Sequence, residues 1–144
     1  MPSWIYDGRI ITEMSDMPEG TFGFIYEVTH TPTGRKYIGK KVLYFNRTLP
    51  PLTSQKRKRK IVKESDWKTY FGSHAEIVGL IKEGKQEEFT KQILCFVRSK
   101  KLLTYYETKY LFIKEVLEYR NNYINDNVLG KFYRKDFITP DTDD

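Results

Sequence analysis

The tightest constraint in this sequence is a turn. Thr31-Pro32-Thr33-Gly34 lies between FGFIYEVTH (22–30) and KYIGKKVL (36–43), two runs rich in aromatic and β-branched residues. Proline fixes the backbone early in a turn and glycine accepts the conformation required late in it, so this spacing predicts a β-hairpin. Along the second strand, alternation puts Tyr37, Gly39 and Lys41 on one face and Ile38 and Lys40 on the other.

Other segments supply what such a hairpin packs against. The first 21 residues show no sustained period and read as a lead-in, with a short strand at GRIIT. YFNRTLPPL begins a short helix that Pro50 and Pro51 stop. A basic insert follows at 53–63, containing the five consecutive cations Lys56, Arg57, Lys58, Arg59 and Lys60. Their mutual repulsion predicts a solvated, mobile segment in the absence of a partner. In SHAEIVGLIKEG, Ser73 and Glu76 have capping-box spacing, Ile77, Leu80 and Ile81 form a stripe, and Gly84 ends the helix. FTKQILCFV is a strand. LTYYETKYLFIKEVLEY is the longest helix, with apolar positions at Leu103, Tyr106, Tyr110, Ile113 and Leu117. The acidic tail at 138–144 reads as disordered. Together these segments predict one small α+β domain over 22–137: a short, mainly antiparallel sheet, made of the hairpin and a further strand, flanked by helices.

At 144 residues the chain has room for one domain with a core. Its net charge of +6 favours a polyanionic partner. Cys95 is the only cysteine, which excludes an internal disulfide and a cysteine zinc site and fits a reducing cytoplasm. Its apolar neighbours make it a core thiol. No stretch approaches 18 apolar residues, so no membrane partner is expected. No dinucleotide or P-loop glycine pattern is present.

Several motifs share an order with a known family. Phe24-Ile25-Tyr26 and, after the turn, Tyr37-Ile38-Gly39 resemble the signature hairpin of the GIY-YIG nuclease superfamily. YFGSH (70–74), IKEG followed by Phe89, and YYETKYLFIKE resemble its later motifs in the same sequence. The likeness runs from about Phe22 to Asn127 and is strongest to small, freestanding phage-encoded proteins of the homing-endonuclease type. Phe24 replaces the first glycine of the family's name, a change that alters packing more than chemistry.

The resemblance implies a metal-dependent DNA endonuclease using Mg²⁺, with Mn²⁺ as a substitute, acting as a monomer or a homodimer. Within it Tyr26 serves as general base or as hydrogen-bonding partner of the attacking water. A phenol starts near pKa 10, so the base role needs cations to depress it, and Lys36, Lys40 and Lys41 are the candidates. The packing alternative makes Tyr26 a core ring between Phe24 and Val28. Tyr37 assists, Gly39 permits close backbone approach, and Lys41, on the face of Tyr37, is the better phosphate ligand with Lys40 as a further substrate contact, unless both are solvated edge lysines. The family's phosphate-clamping arginine falls on Arg47, with Arg57 and Arg59 as alternatives. Its metal-binding glutamate falls on Glu107, although Thr104 and Glu107 also have the spacing of a helix cap. Its asparagine falls on Asn122, Asn125 or Asn127, with Asn125 favoured. Tyr70 and His74 are candidate phosphate contacts, and Lys56 to Lys60 suit backbone tracking on DNA. A catalytically inactive or RNA-directed binding module of the same fold is the alternative.

Overall fold

The structure is a computed structural model and describes residues 1–54, 56–119 and 121–137. The tail expected to be disordered lies outside them. In chain order the elements are β1 (Trp4–Tyr6), β2 (Arg9–Ile11), β3 (Gly23–His30), β4 (Arg35–Val42), β5 (Tyr44–Leu49), β6 (Arg59–Glu64), α1 (Ala75–Lys82), β7 (Phe89–Val97), α2 (Lys100–Ile113), β8 (Asn127–Val128) and β9 (Phe132–Tyr133).

The predicted hairpin is β3–β4, in register from Gly23 opposite Val42 to His30 opposite Arg35. Gly34 closes its turn at φ +72°, a conformation open to residues without a Cβ. The strand predicted at FTKQILCFV is β7, antiparallel to β3. The sheet order is β2-β1-β7-β3-β4, which leaves β4 at an edge. β3 is central, and both its faces are buried. Phe24, Tyr26 and Val28 join Trp4, Trp67, Phe71, Ile77 and Ile93 on the α1 side. Ile25 joins Ile38, Val97, Leu103, Leu111 and Val116 on the α2 side. The result is the expected α+β domain, a mainly antiparallel sheet between helices.

Four expectations need correction. Residues 1–21 are part of the sheet: β1 and β2 pair with each other, β1 runs parallel to β7, and Trp4 and Ile11 are buried. The segment around Arg47 is not helical. It is β5, which pairs with β6 in a two-stranded ribbon from Tyr44 opposite Glu64 to Leu49 opposite Arg59. The prolines that stop a helix lie between these strands, where a connection needs them. Arg59 and Lys60, expected in a mobile segment, are the first residues of β6. Finally, α2 ends at Ile113 and not near Tyr119, because Glu115 adopts φ +51° and breaks the ladder. Ile113 is exposed, while Leu117 is buried from a non-helical turn.

Candidate nuclease cleft at the edge of the sheet

Tyr26 is 1% exposed and sits directly opposite Gly39 on the edge strand. A Cβ at position 39 would stand 2.5 Å from the Tyr26 hydroxyl and 2.7 Å from Cζ. Gly39 therefore leaves the space through which the Tyr26 phenol crosses β4. A β-bulge on β7 shifts the register between Ile25 and Tyr26, beside the residue whose aim matters. Tyr37 follows on the same face, its ring centroid 6.3 Å from that of Tyr26, and Tyr70 meets Tyr26 edge-on at 5.9 Å. Tyr26 is thus a core ring, as the packing alternative holds, and its hydroxyl also reaches the edge.

A cleft of about 300 Å³ opens along this edge, lined by Tyr37, Lys40, His74, Thr104, Glu107 and Asp126, among others. Glu107 enters from α2, on the far side of β4 from Tyr37. Its carboxylate is half-buried and lies 3.8 Å from the Lys40 ammonium. Burial raises its pKa, and Lys40 offsets only part of that rise. The capping account of Glu107 fails, because the N-cap of α2 is Ser99, whose Oγ accepts from the Leu102 N–H at 3.1 Å. Thr104 is already inside the helix and binds Lys40 at 3.3 Å. No structural partner other than Lys40 engages the Glu107 carboxylate among the described residues.

The tyrosines are tuned opposite to the expectation that lysines would acidify them. Burial first, then the neighbouring phenols of Tyr70 and Tyr37, push Tyr26 well above the usual phenol range. Burial also raises Tyr37, against hydrogen bonding with Ser73. None of the three lysines serves Tyr26. Lys36 faces Glu27 at 3.8 Å, Lys40 faces Glu107, and Lys41 is bound to Asp66 at 2.5 Å with its ammonium 3.8 Å above the Tyr70 ring. The alternation read from sequence holds, yet it is Lys40, not Lys41, that lines the cleft.

The remaining candidates divide sharply. His74, not Ser73, caps α1: its Nδ1 accepts the Glu76 N–H at 3.1 Å, which leaves Nε2–H to donate to Asp126 at 2.7 Å. Both ring nitrogens are therefore engaged, and the ring reaches the cleft through its face, 5.8 Å from Tyr37. Asn125 is buried, and both ends of its amide are taken up: Nδ2 donates to Ile38 O at 2.9 Å and Oδ1 accepts the Ile38 N–H at 3.1 Å. It extends the β4 edge instead of meeting solvent, so a direct phosphate contact is corrected to a positioning one. Asn122 O accepts from the Lys36 N–H in the same splice. Arg47, Lys56, Arg57, Lys58, Arg59 and Lys60 all belong to the ribbon or its tip and are exposed. Among the described residues no arginine lines the cleft. Phe24, where the family motif has glycine, is buried edge-on to Trp4 at 4.9 Å. Asp126 was missed in the sequence, where its only signal is its place beside Asn125.

Residues 4–128, most of the chain, match the family model described as "Putative endonuclease segE, GIY-YIG domain". No curated protein and no solved structure gives a significant match.

Proposed function

The chain belongs to the SegE_GIY-YIG family of endonuclease domains, and from that premise we propose that its edge cleft hydrolyses phosphodiester bonds of DNA with one divalent cation, Mg²⁺ or Mn²⁺. The observation that carries this reading is the convergence at Gly39. The tyrosine of the first motif crosses over the glycine of the second, and the helix glutamate lies within electrostatic reach of both Tyr26 and Tyr37.

Glu107 would hold the cation. Mg²⁺ accepts a single carboxylate when water and phosphate oxygens complete its shell. Glu107 suits that mode, since it is half-buried in a polar cleft and only loosely neutralised by Lys40. The described residues hold no cluster of three carboxylate, imidazole or thiol ligands, so the remaining ligands would come from solvent and substrate. When bound, the ion supplies a Lewis acid at the phosphate.

The protein's own groups do the positioning. Lys40 faces the phosphate's negative charge. Tyr26 and Tyr37, both held uncharged, orient the attacking water by hydrogen bonding, the second of the two roles implied for Tyr26. The His74–Asp126 pair fixes the wall of the cleft opposite α2. In the reaction the water oxygen joins phosphorus, the P–O bond to one sugar oxygen breaks, and the proton that the water gives up passes through solvent to that leaving oxygen. The exposed cations of the ribbon would contact the DNA backbone outside the cleft.

The test is nicking of supercoiled plasmid by the purified full chain in Mg²⁺, in Mn²⁺ and in EDTA, with binding to duplex DNA and to RNA measured in parallel. Breaks that require the metal support the proposal. Binding that survives EDTA, with no breaks in either ion, supports the inactive or RNA-directed module.

A further inference from the structure

The β5–β6 ribbon has two chemically different faces. Residues directly opposite in an antiparallel pair share a face. One face joins Phe45 to Lys63, Arg47 to Ile61, and Leu49 to Arg59. Three cations there alternate with three apolar side chains, and no acid intervenes. The other face joins Tyr44 to Glu64, Asn46 to Val62, and Thr48 to Lys60. Between positions 44 and 64 the chain carries seven cations and one carboxylate. That carboxylate, Glu64, is held at the foot by the Trp67 indole N–H at 2.9 Å.

The ribbon is anchored but otherwise unsupported. Buried Leu43 and Trp67 flank its two strands, and the Ser65 N–H and hydroxyl bond to Leu43 O and Val42 O. Beyond that foot, β5 and β6 pair only with each other. Neither Arg47 nor Lys63 makes a hydrogen bond or ion pair with the described residues, and Arg59 bonds only to the Pro50 carbonyl. Two arginines without protein partners to neutralise them, among exposed apolar groups, suit recognition of a partner better than solubility.

The ribbon also adjoins the cleft. A second hollow runs from Lys40 and Thr104, which line the cleft as well, past Lys100 to Tyr44, Phe45 and Val62 at the ribbon's foot. A nucleic acid bound in the cleft would find this hollow continuous with it as far as the ribbon's foot. Six-residue strands span roughly 20 Å, and a two-stranded ribbon fits the major groove of B-form DNA, about 12 Å wide. The major groove of an RNA duplex is too deep and narrow for it.

We propose that this ribbon enters the major groove of duplex DNA beside the scissile phosphate and that its Arg47, Arg59 and Lys63 face reads base edges, making the protein selective for sequence. Arg47, a candidate clamp on the scissile phosphate, is reassigned here to recognition. The inference rests on the nuclease reading for the position of the cleft, but not for the binding it describes. The apolar groups of the same face meet thymine methyls, and the exposed cations at the tip, Lys56, Arg57 and Lys58, meet phosphates.

The test is binding of the full chain, in EDTA, to a pool of duplexes with randomised sequence, followed by sequencing of the bound fraction. The wild type is expected to enrich particular base pairs about fivefold or more. Arg47→Lys keeps the charge but loses the planar fork, so it should keep the salt dependence of binding and lose enrichment at a base pair. Neutralising Lys56, Arg57 and Lys58 to glutamine should instead weaken all sequences alike and lower the salt slope by roughly 2–3. No enrichment by the wild type, enrichment unchanged in Arg47→Lys, or equal affinity for single strands would overturn the proposal. Enrichment without any metal-dependent breaks would overturn the nuclease reading and leave this one standing.

Discussion

Lys91 offers the sharpest handle on the energetics of this fold. It is 1% exposed on β7, with its ammonium 4.4 Å from the ring centroids of both Trp4 and Phe71 and 3.3 Å from the Lys68 carbonyl. It pairs with no carboxylate among the described residues. Burial lowers its pKa from the 10.5 of a solvated lysine to about 8. Below about pH 8 both native and unfolded chains carry the charge, and the native state bears its full desolvation cost. Between pH 8 and 10.5 the native state gives up its proton while the unfolded chain keeps it, so stability rises with pH across that window. At about 1.4 kcal/mol per pH unit the gain has a ceiling near 3 kcal/mol, and cation–π attraction to the two rings, which favours the charge, trims it to about 1–3 kcal/mol. Lys91→Met keeps the length and removes the titration. Urea unfolding of wild type and Lys91→Met at several values from pH 7 to 10 should show the wild type gaining about 1–3 kcal/mol on the variant. Cys95, Tyr26, Tyr37, Tyr110 and Tyr123 are all raised by burial and weaken the fold only from pH 9 or 10 upward, and comparison with the variant removes them. A difference between the two proteins that stays flat, or that falls, across pH 8–10 refutes the argument.

Gly39→Ala should destabilise the fold by about 1–3 kcal/mol, read as a lower urea midpoint at unchanged slope, because the new Cβ meets the immobile Tyr26 phenol at 2.5 Å. The same variant should lose nicking even at temperatures where it stays folded. Asn125→Ala strips both partners from the buried backbone of Ile38 and should cost about 2–3 kcal/mol, with hydrogen exchange at Ile38 accelerating more than at β7. A uniform acceleration would mean that Asn125 does not fix the β4 edge in particular.

The hairpin is legible in the sequence because its central strand is buried on both faces, which makes it a near-continuous run of aromatic and β-branched residues, and because Pro32 and Gly34 punctuate the turn. The edge cleft is legible through order: Glu107 lies far along the chain from the hairpin that carries Tyr26, Tyr37 and Gly39, but the resemblance names them together, and the fold puts Tyr37 and Glu107 in one cleft with Tyr26 against Gly39 on the same edge strand. The ribbon is illegible for a physical reason. Nearly all of its residues are exposed, so no apolar period marks the strands, and its charge run reads as a repelling loop. The β1–β2 hairpin did leave a signal, the Asp7-Gly8 pair, which takes φ +48° and +77° as a tight two-residue turn requires. The tyrosine environment lay beyond sequence reasoning, since adjacency to lysines along a strand says nothing of which carboxylate each lysine meets.

The most direct test of the central claim compares wild type with Glu107→Gln, a near-isosteric change in a side chain that caps nothing. Plasmid nicking in Mg²⁺ is measured beside duplex binding in EDTA and the urea midpoint. The expected result is a loss of nicking by at least about a hundredfold, with binding retained and stability unchanged or slightly raised, since a desolvated carboxylate has been removed. Metal-dependent nicking at the wild-type rate by a folded Glu107→Gln would contradict the assignment of Glu107 and the cleft built around it.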